Sequence, residues 1–373
     1  MIRVSQPLAR LAICTISMAL VVACGEASES SVADAADPDV TTLLSDTGQS
    51  PGDDPECEGV CHSHGFGVVT VGAGTEDASL CLSWTLDNDE PLFVNAIRTE
   101  NDGVFHHSNW FWVPESQWNQ PDGAWSCSEH GFEELEAAVF GGVLFAQSTH
   151  VLEEDHKFLP GAVVRVGPRA RIIAAAHVLN PTPQDVETEM RITLDTIPEE
   201  QVTAELQPFR FTYFDLDIPP QSRAEHSATC DLTGPFKRIS DQEFDLKLHY
   251  ILPHYHGLGD RFRLEIAGGE RDGEVLYDEL NLYGHPQGRT FDEPISLGEA
   301  GASGLRFLCG YTNSTDETVG WGIGDQEMCV MLGFAESAVR YDLTIPETQE
   351  TGVAADGTHL RSGLCEAVPI PTF

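Results

Sequence analysis

Apolar and polar residues alternate with a period of two through most of the chain after residue 55. Successive side chains on a strand point to opposite faces, so each alternating run predicts a half-buried strand. The runs are short, rich in β-branched and aromatic residues, and separated by Gly, Pro, Asn and Asp, which is typical of strands joined by turns. The clearest runs are residues 92–97, 162–166, 190–194, 209–214, 247–251 and 261–266.

Short strands at this spacing are typical of all-β proteins, and we expect two tandem antiparallel β-sandwich domains of jelly-roll-like form. The boundary is expected between Leu194 and Glu205, where a strand ends and an Ile-Pro-Glu-Glu segment follows. The N-terminal domain would span 56–198 and the C-terminal domain 199–373. One short helix is expected near 129–138, and no repeat of solenoid length is visible.

The first residues predict export. Arg3 and Arg10 precede an apolar run that ends at Ala23, a length that suits a signal peptide over residues 1–23. The Val-Val-Ala-Cys ending resembles a bacterial lipobox, which would make Cys24 the lipidated first residue of the mature protein. The alternative is an ordinary cleaved signal with an accidental Cys. On the lipobox interpretation, the lipid alone anchors the chain to a bacterial membrane, in the periplasm or at the cell surface.

The composition and net charge of the chain limit the classes of molecule that we expect it to bind. Residues 24–55 are mostly Ser, Ala, Asp, Glu, Gly and Pro and contain no aromatic residue, which predicts an acidic, solvated tether. The whole chain has 60 acidic and 20 basic residues and a formal net charge of −40. This charge argues against nucleic acid and anionic lipid as partners. We expect a monomer that acts on a small molecule or a peptide.

The segment Leu-Pro-His-Tyr-His-Gly-Leu-Gly at 252–259 predicts a pair of metal ligands. On a strand, His254 and His256 would project their imidazoles from the same face. Such a pair is more often two half-exposed residues, but Met328 offers a soft third ligand. A thioether binds cuprous copper well and zinc poorly, so the three side chains together indicate copper. The alternative for Met328 is gap-filling in a core.

The N-terminal half contains three further imidazoles. His106 and His107 are adjacent, so they could share a metal only where a strand bulges or ends. Otherwise one of them faces inwards and the other outwards. His177 ends an apolar run and is alternatively a core histidine. Three imidazoles without a carboxylate or a thiolate suit copper or zinc.

Taken in order, these residues resemble the markers of the copper type II, ascorbate-dependent monooxygenases, the family of peptidylglycine α-hydroxylating monooxygenase and dopamine β-monooxygenase. The resemblance covers nearly all of the predicted folded part, from about Cys81 to Cys365, and depends on the order and spacing of the markers. The markers are His106-His107, His177, Ile218-Pro219-Pro220 before Cys230, His254-x-His256-x-x-Gly259 and Glu327-Met328-Cys329.

The resemblance implies a monooxygenase with two copper ions per chain. It would hydroxylate a substrate C–H bond with O2 and an external one-electron reductant such as ascorbate; one oxygen atom enters the product and the other is reduced to water. The implied ligands are His106, His107 and His177 for an electron-transfer copper in the first domain, and the catalytic His254, His256 and Met328 for an oxygen-activating copper in the second.

Cysteine usage agrees with an oxidising compartment. Of ten Cys, Cys14 would leave with the signal peptide and Cys24 would take the lipid. Eight remain, and an even number in an exported chain predicts disulfides, although eight thiols permit 105 connectivities. The resemblance implies the bonds Cys81–Cys127, Cys230–Cys365 and Cys309–Cys329, and it leaves Cys57–Cys61 as a local pair.

The chain departs from the peptide-amidating members of the family at the positions that bind substrate. Their carboxylate-binding Arg is replaced by Leu252, and their Asn and Tyr after the Met are replaced by Val330 and Leu332. We therefore expect a more apolar pocket and a substrate that is not a glycine-extended peptide. Ser108 follows the His pair, where the family usually has an apolar residue.

Other histidines are interpreted without the resemblance. Cys57, Cys61, His62 and His64 could bind an extra metal, but a small disulfide loop with exposed His residues is the more common outcome in an oxidising compartment. Surface or structural roles are expected for His226, His249 and His285.

Two other functions remain open at this stage. A non-catalytic copper-binding or electron-passing surface lipoprotein could have the same ligands, although it would not need a thioether site as well as an imidazole site. A zinc hydrolase is disfavoured by Met328 and by the lack of a carboxylate matched to either site as a general base.

Overall fold

A computed structural model describes residues 59–147, 151–281, 287–299, 301–322 and 325–371. The predicted signal peptide, Cys24, the tether, Cys57 and His285 lie outside these residues. No helix in the described ranges is long and apolar enough to cross a membrane.

The described chain consists almost entirely of strands. The first half contains β1 Val60–Val71, β2 Glu76–Thr85, β3 Leu92–Asn101, β4 Phe105–Val113, β5 Gly123–Ser126, helix α1 Glu134–Phe140, β6 Gly142–Gln147, β7 Glu153–Lys157, β8 Ala162–Val166, β9 Arg171–Leu179, β10 Val186–Thr196, a 3-10 turn at Glu199–Gln201 and β11 Ala204–Glu205.

The second half has the same character. It contains β12 Gln207–Tyr213, β13 Ser222–Asp231, helix α2 Thr233–Ile239, β14 Lys247–His254, β15 Gly259–Ala267, β16 Val275–Leu280, β17 Arg289–Ser296, β18 Gly304–Asn313, β19 Val330–Glu336, β20 Val339–Ile345, β21 Thr348–Val353, β22 His359–Leu364 and β23 Glu366–Pro371.

In the described ranges these strands form four sheets, two from each half. Sheet 1 has the order β1-β10-β3-β8-β11, with β7 also paired to β3, and sheet 2 has the order β5-β2-β9-β4-β6. Sheet 3 has the order β17-β14-β19-β12-β20-β23, and sheet 4 has the order β16-β15-β18-β13-β22-β21. The prediction of an all-β, sandwich-type fold is confirmed. Most pairings are antiparallel, but β8–β11, β12–β20 and β13–β22 are parallel.

Each half has an apolar core, and the two cores meet. One core lies between sheets 3 and 4 and contains Tyr255, Phe211 and Phe307. The other fills the first half, but it also contains Tyr250 and Phe334 from the second half. Burial of apolar surface is the main source of folding free energy, so packing across this contact contributes to the stability of both halves.

Three disulfides are confirmed in the described chain. They join Cys81 to Cys127, Cys230 to Cys365, and Cys309 to Cys329. The fourth predicted bond involves Cys57, which lies outside the described residues. The last bond joins β18 to the residue immediately before β19, and Met328 is the next residue towards the N-terminus.

The helices differ in part from the sequence expectation. The helix expected near 129–138 is α1, which begins only at Glu134, because turns occupy the residues after Cys127. Helix α2 was missed: Gly234 and Pro235 disfavour a helix interior, but they stand in its first turn, where Pro is tolerated. Asp231 accepts a hydrogen bond from the Thr233 backbone N–H at 3.0 Å and so satisfies an otherwise unpaired donor near the start of α2,.

Helix α1 is bound by an arginine from the other half of the chain. Arg340 on β20 is buried and its Nη1 donates to the carbonyls of Ala138 at 2.9 Å and Gly141 at 2.8 Å. These carbonyls belong to the last turn of α1, which has no internal partner for them. The Nη2 of Arg340 donates to the Pro371 carbonyl at 3.2 Å. This contact fixes α1 against sheets 2 and 3.

Candidate metal centre

A bulge in β4 brings His106 and His107 to the same side. In the pairing of β4 with β9, the register shifts between Phe105 and His107, and His107 lies opposite His177. The extra residue of a bulge re-aims a side chain that would otherwise point to the other face. As a result, the ring of His106 lies 5.3 Å from that of His107 and 5.1 Å from that of His177. The bulge that the sequence analysis required is therefore present.

His254 and His256 also converge, although only His254 is on a strand. Strand β14 ends at His254, and His256 lies in the turn that leads to β15. The intervening Tyr255 is buried in the core of the second half, so the alternation of sides continues past the end of the strand. The two imidazole rings are 5.2 Å apart.

The two histidine sets form one cluster of five imidazoles. His106, His107 and His177 have ligand nitrogens within 4.8 Å of one another, and so do His107, His254 and His256. The ring of His107 is 5.1 Å from that of His254. The sequence analysis assigned the sets to different domains, and the structure places them side by side, with His107 belonging to both.

Hydrogen bonds orient two of the imidazoles. The Nδ1 of His256 donates to the Gln326 carbonyl at 2.8 Å, which leaves the lone pair of the ring on Nε2. That Nε2 is buried and has no hydrogen-bond partner. The Nε2 of His177 lies 3.1 Å from Glu76 Oε1, and its Nδ1 lies 3.1 Å from His107 Nε2. A carboxylate or carbonyl behind a histidine is the usual arrangement around a protein-bound metal.

The segment that contains Met328 supports the His256 loop. Glu327 is buried, and its carboxylate accepts the backbone N–H groups of His256 at 2.8 Å and Leu258 at 2.6 Å. Burial raises the pKa of Glu327 to about 7, and these hydrogen bonds act in the opposite direction. The Tyr311 hydroxyl donates to the Met328 carbonyl at 2.7 Å. In the sequence, Glu327 stands out only as part of the Glu-Met-Cys motif. Its contact with the histidine loop is visible only in the tertiary structure.

Electrostatics favour neutral imidazoles in the cluster. The pKa of His107 lies well below 6.5, first because the ring is buried and then because other imidazoles surround it. Burial also lowers the pKa of His256. A neutral imidazole has a lone pair for a metal, whereas a protonated one has none. The imidazoles of His107 and His256 are therefore held in the neutral form, with a lone pair available to a metal ion.

The cluster lies at the wall of an apolar cavity between sheets 2 and 3. The cavity has a volume of about 360 Å³, and its lining includes His107, His177, His254 and Met328. Such a volume suits a small-molecule ligand. Its wall also contains the three positions at which the chain departs from the peptide-amidating enzymes: Leu252, Val330 and Leu332. In the pairing of β14 with β19, Leu252 lies opposite Leu332, and Val330 lies opposite His254.

A small polar region interrupts the apolar lining at α1. Asn109 lines the cavity two residues after His107, and its Nδ2 donates to Glu134, with 3.2 Å to each carboxylate oxygen. Burial raises the pKa of Glu134, and the hydrogen bond from Asn109 opposes this shift. No pattern in the sequence marks Glu134, because it is one of several acidic residues in an acidic segment.

The other histidines and Ser108 lie outside the cluster. Ser108 is buried, and its hydroxyl bonds Gln147 and Trp110 rather than the cluster. His64 stacks on Trp84 at 5.0 Å. In the part of the chain that the structure describes, the groups that could hold a metal ion are the two above, and neither includes His62 or His64.

His226 and His249 are both buried, so of the two roles expected for them the structure supports the structural one. His226 has no measurable exposure, and His249 Nε2 lies 2.8 Å from Glu336.

Comparison with protein families and with curated proteins finds no match. Among solved structures, the major capsid protein P2 from bacteriophage PM2 is similar at 10% identity and a TM-score of 0.31, over 74% of this chain and 97% of that one. A Sulfolobus turreted icosahedral virus structure is similar at 8% identity and a TM-score of 0.21, over 72% of this chain and 59% of that one. Likenesses this distant carry no argument about the function of this chain.

Proposed function

We propose that this chain is a copper-dependent monooxygenase that hydroxylates a C–H bond of an apolar substrate with O2 and an external one-electron reductant. The observation that carries the proposal is a cluster of five imidazoles, three of which line an apolar cavity together with Met328. The family resemblance of the sequence supports the same activity. We further propose that the protein is exported and lipid-anchored through Cys24.

The donor set suits copper. Two nitrogens that each lie about 2 Å from one tetrahedral metal ion are about 3.3 Å apart, and the 3.1 Å between His107 Nε2 and His177 Nδ1 is close to this value. The buried Nε2 of His256 has no hydrogen-bond partner in the described structure. Neutral imidazoles with a thioether stabilise Cu(I) better than they stabilise a hard cation.

In this proposal the two ligand sets would hold two ions. His106, His107 and His177 would hold one ion, and His254, His256 and Met328 would hold the other. Bound copper would supply the one-electron redox chemistry with O2 that cleaves the C–H bond. Because the rings of His107 and His254 are 5.1 Å apart, electrons would not need a long path through protein between the sets.

The remaining residues position the ligands and the substrate. Glu327 and the Gln326 carbonyl orient His256, and Glu76 orients His177. The apolar walls would exclude bulk water and hold the substrate against the cluster. Overall, one oxygen atom enters the C–H bond and the other leaves as water; this reaction consumes two electrons from the reductant and two protons.

The experiment is copper analysis of the purified full chain, followed by O2 consumption with ascorbate and apolar substrates. We expect two coppers per chain and substrate-dependent O2 uptake. Met328→Leu should lower Cu(I) affinity and turnover, whereas Met331→Leu, a matched change in the core two residues from Cys329, should alter neither. Zinc in place of copper, or no metal, would refute the proposal. Two coppers without turnover on any substrate would favour the non-catalytic copper-binding alternative.

A further inference from the structure

The polar region formed by Asn109 and Glu134 lies along the same cavity wall as the histidine cluster. His107 and Asn109 are two apart on β4, so their side chains share a face and their Cα atoms are about 7 Å apart. Both residues line the cavity. The Glu134 carboxylate lies beyond Asn109, with 3.2 Å from the amide nitrogen to each of its oxygens. A ligand in the cavity can therefore meet the cluster at one end and a carboxylate at the other.

Glu134 retains capacity to accept hydrogen bonds from a ligand. A carboxylate has about four lone-pair positions, and Asn109 supplies one amide group. Cations near the cavity are already engaged by other partners. Arg210 forms a bidentate pair with Asp342 at 2.9 and 3.1 Å, and Arg340 donates to backbone carbonyls of α1.

The rest of the cavity favours an apolar ligand. Leu135 and Phe214 line the cavity while remaining 54% and 41% exposed, so they lie where the cavity meets solvent. Trp321 packs edge-on against Phe214 with ring centroids 4.9 Å apart. A ligand that passes these residues loses its hydration without polar compensation, which penalises charged and strongly polar molecules.

From these contacts, and resting on the proposed function, we propose that the substrate is a lipophilic molecule with one hydrogen-bond-donating polar end. Glu134, supported by Asn109, binds that end, and the apolar part extends to the cluster. An alcohol or a protonated amine satisfies the acceptor, whereas an anionic end places a second negative charge against Glu134. The carbon presented for hydroxylation is therefore remote from the polar end.

The test is calorimetric binding of n-octanol, octylamine and octanoate to the metal-free full chain. These probes share one chain length and differ only in the polar end. We expect n-octanol and octylamine to bind at least about tenfold more tightly than octanoate, which corresponds to one charge-assisted hydrogen bond or one repulsive contact. Equal binding of the three probes, or tightest binding of octanoate, would overturn the inference.

Two variants test whether Glu134 is the side chain that distinguishes the three probes. Glu134→Gln keeps the size and the hydrogen bonding, so it should remove the preference for octylamine over octanoate and retain n-octanol binding. Glu136→Gln changes an exposed residue on the same helix and should leave all three affinities unchanged. If the octylamine preference persists in Glu134→Gln, the assignment of Glu134 is wrong. Because binding is measured without metal, a failure of copper-dependent turnover would refute the proposed function while leaving these affinities intact.

Discussion

His107 on β4 lies directly opposite His177 on β9, and the nitrogens His107 Nε2 and His177 Nδ1 are 3.1 Å apart. A cross-strand pair holds two side chains at a distance fixed by the sheet. The sheet thus preorganises two nitrogens before any metal binds, and the bulge at the start of β4 adds His106. Preorganised ligands bind metal without the cost of ordering flexible side chains.

His107 belongs to the first proposed ligand set, and its nitrogen also lies within 4.8 Å of nitrogens of His254 and His256, so its loss should affect more copper than the loss of any other histidine. We expect His107→Ala to reduce copper binding at both sets, and His106→Ala to weaken only the first. Elemental analysis after dialysis against a weak chelator measures both. His130→Ala removes an exposed histidine and serves as the control. Full copper retention in His107→Ala would contradict the assignment.

Glu327 fixes the histidine loop through two backbone hydrogen bonds. Glu327→Gln replaces one acceptor oxygen by an NH2 group, which would face a backbone N–H. We expect copper affinity at the His254–His256 set to fall about 10- to 100-fold, the usual effect of removing a residue that orients a metal ligand. Competition with a Cu(I) chelator measures the affinity. Glu317→Gln, an exposed change ten residues away, should have no effect; equal losses in both variants would contradict a specific role for Glu327.

Arg340 joins the two halves of the chain through α1. Arg340→Ala leaves the carbonyls of Ala138 and Gly141 without their guanidinium donor, and we expect the free energy of unfolding to fall by about 2–4 kcal/mol. Arg340→Lys keeps the charge but not the forked geometry, so its free energy of unfolding should lie between those of Arg340→Ala and the wild type. Urea denaturation measures all three proteins. A loss below about 0.5 kcal/mol for Arg340→Ala, the range of ordinary surface substitutions, would show that α1 does not depend on this contact.

His226 should make stability depend on pH. It is buried against Tyr213 and Tyr311, and burial, followed by the charge of Arg361, lowers its pKa to about 3. Its Nε2 accepts a hydrogen bond from the Asp217 backbone N–H at 3.2 Å, which requires the neutral ring. The unfolded chain takes up a proton near pH 6.5 and the folded chain only near pH 3, so between these values stability rises with pH.

Between its folded and unfolded pKa values, one such residue changes the free energy of unfolding by up to about 1.4 kcal/mol per pH unit. Above the unfolded pKa this contribution to the slope vanishes. We expect His226→Gln to reduce the pH dependence of the free energy of unfolding between pH 4 and 6 by roughly this amount per unit, and to change little of the slope above pH 7. His130→Gln, at an exposed site, should leave the slope as in the wild type. Identical slopes for wild type and His226→Gln would contradict a neutral buried imidazole.

The period-two pattern alone determined the fold class and the six clearest strands, because alternation of burial is a local property of an extended chain. The sequence also singled out five histidines that cluster in the structure, and Met328, which lines the cavity beside them. The helix α2 was missed because Gly234 and Pro235 oppose a helix by propensity, and its N-cap residue Leu232 has no side chain that could cap the helix,.

The tertiary structure decided which of these side chains lie close to one another. Whether His106 and His107 face one side depends on a bulge, which a linear pattern does not specify. The separation of the two histidine sets depends on how sheet 2 packs against sheet 3, and that packing is set by side chains more than a hundred residues apart in the chain. The polar region at Glu134 depends on the position of α1, whose last turn is bound by Arg340 from the other half. The sequence thus supplies the ligands and their chemistry, while long-range packing determines their distances, because contacts between distant segments form only when the whole chain has folded.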